Sequence, residues 1–309
     1  MQSSTPLHVD LRDLPGQARA LVRLRGPDTE RFLQGLLSAD VAALEPGQAA
    51  AAALLTVKGK LISEAIVLCD GGGYALALPA DVADAVIDDL DRHIIMDDVT
   101  LEPAPEVGFS LVWGTEGWAP SVEVGAFPTA HPAPGLLVVG DEAIREAALA
   151  GVAAATPEQF TAHRVATASP AWGFEIRPGF FPPEVGFVGG VSYDKGCYRG
   201  QEPLARIHAR GQVNRVMVRI RATAAPDGDG PVALASEARP EAGEWTTWVA
   251  GEGGVDGLAI VHRSLAAPGT ALQAGAIAIE VTSGPLGDDV GMPGKRKGGA
   301  ATVKLGGRR

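Results

Sequence analysis

The sequence predicts an α+β protein of more than one domain, with ferredoxin-like α+β layers first and a small β-barrel last. Three observations predict it. The chain has 309 residues, about twice a common domain length and enough for two or three packed cores. Its first part reads strand, helix, strands, helix, strand, the order of a ferredoxin-like layer. From Asn214 onward the pattern changes to short β-prone pieces separated by Gly and Pro, which suits a terminal β-barrel. The expected division is 1–213, as one α+β region or two subdomains, and 214–309 as the barrel.

Each element has its own signal. Residues 21–25 alternate apolar and basic side chains as a half-buried strand does. Gly26-Pro27-Asp28 then opens a helix with Pro in its first turn, and Phe32, Leu33, Leu36 and Leu37 form its buried stripe. An apolar run up to Val57, the turn Lys58-Gly59-Lys60 and a second apolar run over 61–68 predict a hairpin. Gly71-Gly72-Gly73 lacks the surroundings of a phosphate loop and reads as a hairpin turn. It leads to a strand at 74–78 and to a helix with Asp81 as N-cap and Asp84 in its first turn. Residues 107–113 and 136–139 read as strands, and 141–150 as a short helix. Thr156-Pro157-Glu158-Gln159 has capping-box spacing and starts a helix to about Val165. In the last part the strand pieces are 216–220, 245–249, 258–261 and 277–281.

Composition excludes several function classes. Lys+Arg 26 against Asp+Glu 37 gives a net charge of −11, a field that repels phosphate backbones and anionic membranes, so no direct nucleic-acid partner is expected. The uncharged stretch 124–140 carries Pro128, Pro132 and Pro134, at a density that a membrane-spanning helix does not tolerate. The first fifteen residues lack a basic start and an apolar run, so no signal peptide is expected and the location inferred is cytoplasmic. Cys69 and Cys197 are too few for a disulfide framework, and neither they nor the scattered histidines have metal-ligand spacing, so no metal is expected. Residues 291–309 carry six basic residues and no acidic one. They read as a solvated tail or a last strand at 300–305 ahead of a nucleic-acid arm.

The segment that carries chemistry is Lys195-Gly196-Cys197-Tyr198-Arg199-Gly200-Gln201-Glu202. It sets a thiol among cations, between glycines that let the backbone turn sharply. Lys195, Arg199 and Arg206 in proximity would favour the thiolate and make Cys197 nucleophilic or redox-active. On residue types alone, a small buried cysteine in a Gly-rich loop explains the segment equally well. Cys69, ending an apolar strand, reads as inert core.

This segment resembles the KGCYxGQE signature of the YgfZ-type folate-binding proteins, relatives of the glycine-cleavage T-protein (aminomethyltransferase). Other segments resemble that family in the same order. Arg31-Phe32-Leu33-Gln34-Gly35 through Ala39-Asp40-Val41 is similar to FLQGxxTxDV, with Ser38 where Thr is usual. Lys58-Gly59-Lys60 is similar to the PKGK turn, with Val57 in place of Pro. Pro170-Ala171-Trp172-Gly173 and Pro182-Pro183-Glu184-Val185-Gly186 are similar to PxWG and LPxEAG. The resemblance covers about residues 20–220.

The resemblance implies a T-protein-like multi-domain fold around a central cavity that binds tetrahydrofolate or a related reduced folate. It also implies a role in making or maintaining iron–sulfur enzymes, some of them tRNA-modifying, with iron–sulfur assembly proteins or client enzymes as partners. Cys197 and Lys195 are then the candidates for chemistry. A folate site wants a carboxylate for the pterin, aromatic walls for the rings and cations for the glutamate tail. Glu175, Trp172, Tyr198, Gln201, Glu202, Arg206 and Arg215 are the candidates in the right region. Two departures stand out. Thr167 replaces the Glu of the RxEAG element, leaving Glu175 as the substitute carboxylate. Ser63 and Glu64 stand where T-proteins carry the aspartate pair that serves their chemistry. The expectation is therefore an accessory protein, non-enzymatic or weakly enzymatic, ahead of an aminomethyltransferase or a scaffold without folate.

Overall fold

The computed structural model describes residues 5–210, 213–228 and 230–287. The chain begins with β1 (Leu7–Asp10), β2 (Arg19–Arg25), α1 (Thr29–Leu36), β3 (Ala49–Leu55), β4 (Leu61–Cys69), β5 (Tyr74–Pro79), α2 (Ala83–Asp91) and β6 (Thr100–Pro103). Five of these strands form an antiparallel sheet in the order β3-β4-β5-β2-β6. Without β3 the order is that of a ferredoxin-like layer, and β3 adds an edge strand hairpinned onto β4. Side-chain alternation decides what each face meets. Val22, Leu24, Val67, Leu76 and Leu78 pack on Phe32 and Leu33 of α1 and on Val86 and Leu90 of α2. Leu21, Ile66, Leu68 and Ala77 point the other way.

That other face meets a second sheet. After β7 (Gly108–Trp113), β8 (Gly125–Thr129), β9 (Gly135–Gly140), α3 (Glu142–Ala148), β10 (Ala153–Ala154) and α4 (Pro157–Thr167), its order is β10-β1-β7-β9-β8. Val9, Phe109, Leu111 and Leu137 fill the layer between the sheets. Val112 and Val138 face outward to Ala148 and Leu149 at the end of α3. The capping box of α4 forms as expected: Gln159 N donates to Thr156 Oγ1 at 3.3 Å, and Thr156 N donates to Gln159 Oε1 at 2.9 Å.

A long connection leads through α5 (Gln201–Arg210) to β11 (Arg215–Ala222), β12 (Val232–Ser236), β13 (Arg239–Gly251), β14 (Gly254–His262), β15 (Ala271–Ala274) and β16 (Ile277–Val281). These six strands close into a barrel in the order β11-β14-β13-β12-β15-β16, filled by Trp245, Val216, Val218, Ala259, Val261 and Val281. Among the described residues, no helix is long and apolar enough to cross a membrane.

The structure corrects several details. Asp81 does not cap α2. The N-cap is Val82, without a side-chain cap bond, and the Asp81 carboxylate accepts instead from Trp172 Nε1 at 2.9 and 3.1 Å. The barrel strands β13 and β14 run well beyond the apolar pieces that signalled them, because their polar positions pair as well. The last two residues of the cysteine segment, Gln201 and Glu202, begin α5, so it is not loop throughout. The basic end of the chain lies outside the described residues.

Candidate functional site

Three segments far apart in sequence lock together beneath Cys197. The first is the end of α1. Gln34 Nε2 donates to Asp40 Oδ1 at 2.8 Å while Gln34 Oε1 accepts from Val41 N at 2.8 Å, folding the chain back after the helix. Helix ends leave carbonyls without partners, and here the Lys195 ammonium takes them: Nζ donates to Gln34 O at 2.7 Å, Leu37 O at 2.6 Å and Ala39 O at 2.6 Å. Arg199 N donates to Gly35 O at 3.0 Å and Ser192 N to Ser38 O at 2.8 Å. Ser38 Oγ donates to Gly190 O and accepts from Ala53 N at 2.7 Å. The second segment is the Lys58-Gly59-Lys60 turn, which lies directly against Gly200 of the third, the cysteine loop.

The cations around Cys197 are committed elsewhere. Burial pushes the Lys195 ammonium down to about 8, against the pull of Asp40, and its three bonds run toward α1. Arg199 Nη1 pairs with Asp89 Oδ2 at 2.6 Å, and Arg206 Nη2 pairs with Glu202 Oε2 at 3.4 Å on the exposed side of α5. Tyr198 is buried beneath the loop, its hydroxyl donating to Ser192 O at 3.0 Å, and burial raises its pKa. Cys197 itself is a free, exposed thiol, whereas Cys69 is free and buried. The arrangement therefore offers an accessible sulfur on an anchored loop, without a guanidinium or ammonium bonded toward it among the described residues.

A second group of candidates lies where α4 meets the barrel. Glu175 is fully buried. Its Oε2 accepts from Arg164 Nη2 at 2.5 Å and Ala171 N at 3.1 Å, and its Oε1 accepts from Thr246 Oγ1 and Thr247 Oγ1, each at 2.6 Å. Successive strand residues ordinarily face opposite sides. A bulge between Trp245 and Thr247 breaks that alternation and lets both hydroxyls reach one carboxylate. Arg164, Thr246 and Thr247 also line a cavity of about 600 Å³ whose apolar walls include Leu14, Phe160, Phe174 and Trp248.

Glu64 is fully buried in the layer between the sheets. It pairs with Arg19 and, at 3.1 Å, with His131 Nε2. Burial alone would raise its pKa, but the Arg19 and His131 charges and bonds overcome that and hold the carboxyl at about 2. Thr167 ends α4 with its hydroxyl turned onto His163 O at 2.7 Å and Ser169 Oγ at 2.8 Å. Among the described residues, no group of three or more His, Cys, Asp or Glu side chains is placed to hold a metal ion.

No protein-family model matches the chain. Relatives do. The tRNA-modifying protein YgfZ of Sodalis glossinidius is 30% identical over 233 residues, covering 68% of this chain and 71% of that protein. The chain belongs to the YgfZ family. Its namesake in Escherichia fergusonii is 29% identical over 221 residues, 64% of this chain and 68% of that one. Among solved structures, the glycine cleavage system aminomethyltransferase T of Bartonella henselae aligns with a TM-score of 0.72 at 16% identity, covering 92% of this chain and 86% of its own. That likeness shows a shared fold.

Within this YgfZ family member, the structure gathers Cys197, Lys195, Tyr198, Gln201 and Glu202 at the signature loop and the start of α5. Arg206 projects from α5, and Glu175 and Trp172 lie in the connection before the loop. Arg215 opens the barrel and lines a different cavity, beside Phe180. Sequence reasoning missed Arg19, His131 and Arg164, and read Asp81 only as a helix cap. The partners of Arg19, His131 and Asp81 come from distant segments, 91 residues away for Asp81 and Trp172, whereas Arg164 meets Glu175 11 residues on.

Proposed function

We propose that this YgfZ family member supports tRNA modification as a folate-dependent accessory protein in the assembly or maintenance of iron–sulfur enzymes, with Cys197 as its reactive residue. The YgfZ relatives are named tRNA-modifying proteins, and that context is carried over to this chain. The observation that carries the reading is the exposed thiol of Cys197 on a loop tied down by Lys195, Arg199 and Gly200. A sulfur presented in this way suits transient contact with another protein, where a catalytic thiol enclosed with its substrate would sit in a cleft.

A reduced folate fits the cavity between α4 and the barrel through its ring system. The walls given by Leu14, Phe160, Phe174 and Trp248 suit stacked or edge contacts with flat rings. Glu158 at the same cavity offers a carboxylate to ring N–H donors, its pKa lowered chiefly by a bond from Thr156. Glu175 supports the wall from behind by fixing Arg164, Thr246 and Thr247. Arg206 and Arg215 stand away from this cavity, so the glutamate tail extends toward solvent in this reading. When bound, the folate would supply one-carbon chemistry.

The same geometry argues against aminomethyl transfer. A carboxylate that positions a reacting nitrogen must reach it, whereas Glu64 is enclosed and already paired with Arg19 and His131. Two measurements test the reading: calorimetric titration with tetrahydrofolate, and rescue of iron–sulfur tRNA-modifying activity in a deletion strain by the wild-type chain and by Cys197→Ala. Micromolar binding with rescue by the wild type alone is expected. Full rescue by Cys197→Ala overturns the role of the thiol, and silence at millimolar tetrahydrofolate overturns the ligand. Turnover of an aminomethyl-lipoyl carrier at about 1 per second or faster would restore the enzyme reading.

A further inference from the structure

Strand β13 borders more than one cavity. Its second half faces the one described above. Its first half, with β14 and the segment around Phe180, borders an open cavity of about 560 Å³ lined by Arg177, Phe180, Arg215, Arg239, Ile260 and His262 among others. In a chain of net charge −11, three guanidiniums at one cavity stand out, and folding uses only part of what they can donate. Arg177 pairs through Nη2 with Glu244, while its Nε is enclosed without a partner. Arg215 spends only Nε, on Glu184 Oε1 at 3.4 Å. Arg239 spends Nε on the carbonyl of Glu241 at 3.1 Å. The Nη groups of Arg215 and Arg239 have no partner among the described residues. His262 Nδ1 accepts from Ser264 N at 3.3 Å, so the neutral ring carries its proton on Nε2 and adds a donor. Two carboxylates share the cavity, Glu244, already held by Arg177, and the exposed Glu241.

The wall beside these donors is apolar. The Arg177 and Arg215 guanidiniums lie over the Phe180 ring, at 5.1 and 4.4 Å from its centroid. Two guanidinium forks and an imidazole N–H offer more donors than one planar carboxylate can accept, whereas a tetrahedral phosphate can engage all of them. The volume falls within the roughly 300–1,000 Å³ of small-molecule sites and exceeds the needs of a bare ion.

We propose that this barrel cavity binds a nucleoside phosphate, with Arg215 and Arg239 holding the phosphate and the base lying along Phe180. A free nucleotide and a nucleotide within RNA share this chemistry. The net negative charge of the chain repels a long polyanion, so the ligand is the free nucleotide. The proposal does not rest on the folate reading.

The test is calorimetric titration of the full chain with AMP, ADP, adenosine, pyrophosphate and a twelve-nucleotide single-stranded RNA, each at low and high salt. The expected result is micromolar binding of ADP that weakens with salt, with adenosine and pyrophosphate each at least tenfold weaker. R239Q and R215Q should each weaken ADP at least tenfold, and R215K should recover part of the loss. Circular dichroism and melting curves confirm that the variants are folded. No binding of AMP or ADP at millimolar concentration overturns the proposal, as does unchanged affinity in the R215Q/R239Q double variant. Pyrophosphate binding as tightly as ADP would mean a bare anion site and overturn it. RNA binding more tightly than ADP overturns the choice of ligand. Tetrahydrofolate displacing ADP one for one, with the same loss in R239Q, would make the cavity a folate-tail site and overturn it too.

Discussion

Gly59 and Gly200 meet backbone against backbone: a Cβ on Gly200 would lie 3.2 Å from the Gly59 Cα and 2.5 Å from Thr56 O, and a Cβ on Gly59 would lie 3.1 Å from Gly200 O. Both residues also adopt positive φ, +73° and +79°. The turn after β3 and the cysteine loop are therefore one assembly, and neither position accommodates a side chain.

Gly200→Ala should accordingly destabilise the protein by about 3 kcal/mol, combining left-handed strain with overlap against the Thr56 carbonyl. Urea titration measures it. A loss below about 0.5 kcal/mol would show that the loop yields freely.

Cys197 should react with a thiol reagent near neutral pH much faster than Cys69, since one sulfur is exposed and the other is sealed behind α1 and α2. Mass spectrometry of the partly labelled folded protein reads the order. Equal rates would mean that the first sheet opens as often as the loop is sampled.

Lys195→Met keeps the length of the side chain but leaves the carbonyls of Gln34, Leu37 and Ala39 without their donor. A loss of about 3 kcal/mol is expected from buried acceptors stripped of a charged partner. Labelling of Cys197 in the folded variant should accelerate as its loop loosens. An unchanged melting curve and labelling rate would show that the three bonds contribute nothing.

Acid should find Glu64. Its folded pKa of about 2 lies below that of an unfolded glutamate, so the stabilisation is complete above about pH 4.5 and disappears as pH falls toward 2, amounting to roughly 3 kcal/mol. Glu64→Gln should flatten that part of the stability curve and lower stability near pH 7 by about 3–5 kcal/mol, because Arg19 stays buried without its partner. Urea unfolding across pH 2–7 compares the two. Parallel curves for both proteins would contradict the pairing.

Much of the α+β half was legible because its signals are local. Phe32, Leu33, Val86 and Leu90 recur at helical spacing, and the Thr156–Gln159 capping box is complete within one turn. What escaped is set by distant partners. Asp81 has the chemistry of a cap, yet the Trp172 indole, absent from any local window, takes it. The edge strand β8 contains Pro128 and lacks the run of β-branched residues that marks a strand. The contacts of Cys197's neighbours were misjudged for the same reason: sequence proximity put Lys195 beside the thiol, whereas the end of α1, with three carbonyls to satisfy, draws the ammonium away. Glu175 was singled out as a carboxylate for a ligand, and nothing in the sequence announces that a bulge 71 and 72 residues later brings two hydroxyls to the same oxygen.

Closure of the barrel has a consequence for how other chains can approach. With β11 paired to both β14 and β16, the six barrel strands close on themselves and leave no edge strand among the described residues. In the layered half, the edge strand β8 carries Pro128 one residue before its end, a residue that has no N–H to offer. Strand β3 is shielded where Leu37 bridges Leu54 and Ser38 holds Ala53. At these margins a visiting protein is steered away from backbone pairing and its tendency to propagate, and meets side chains and loops, among which the one that bears Cys197 is tied to the end of α1 by Lys195.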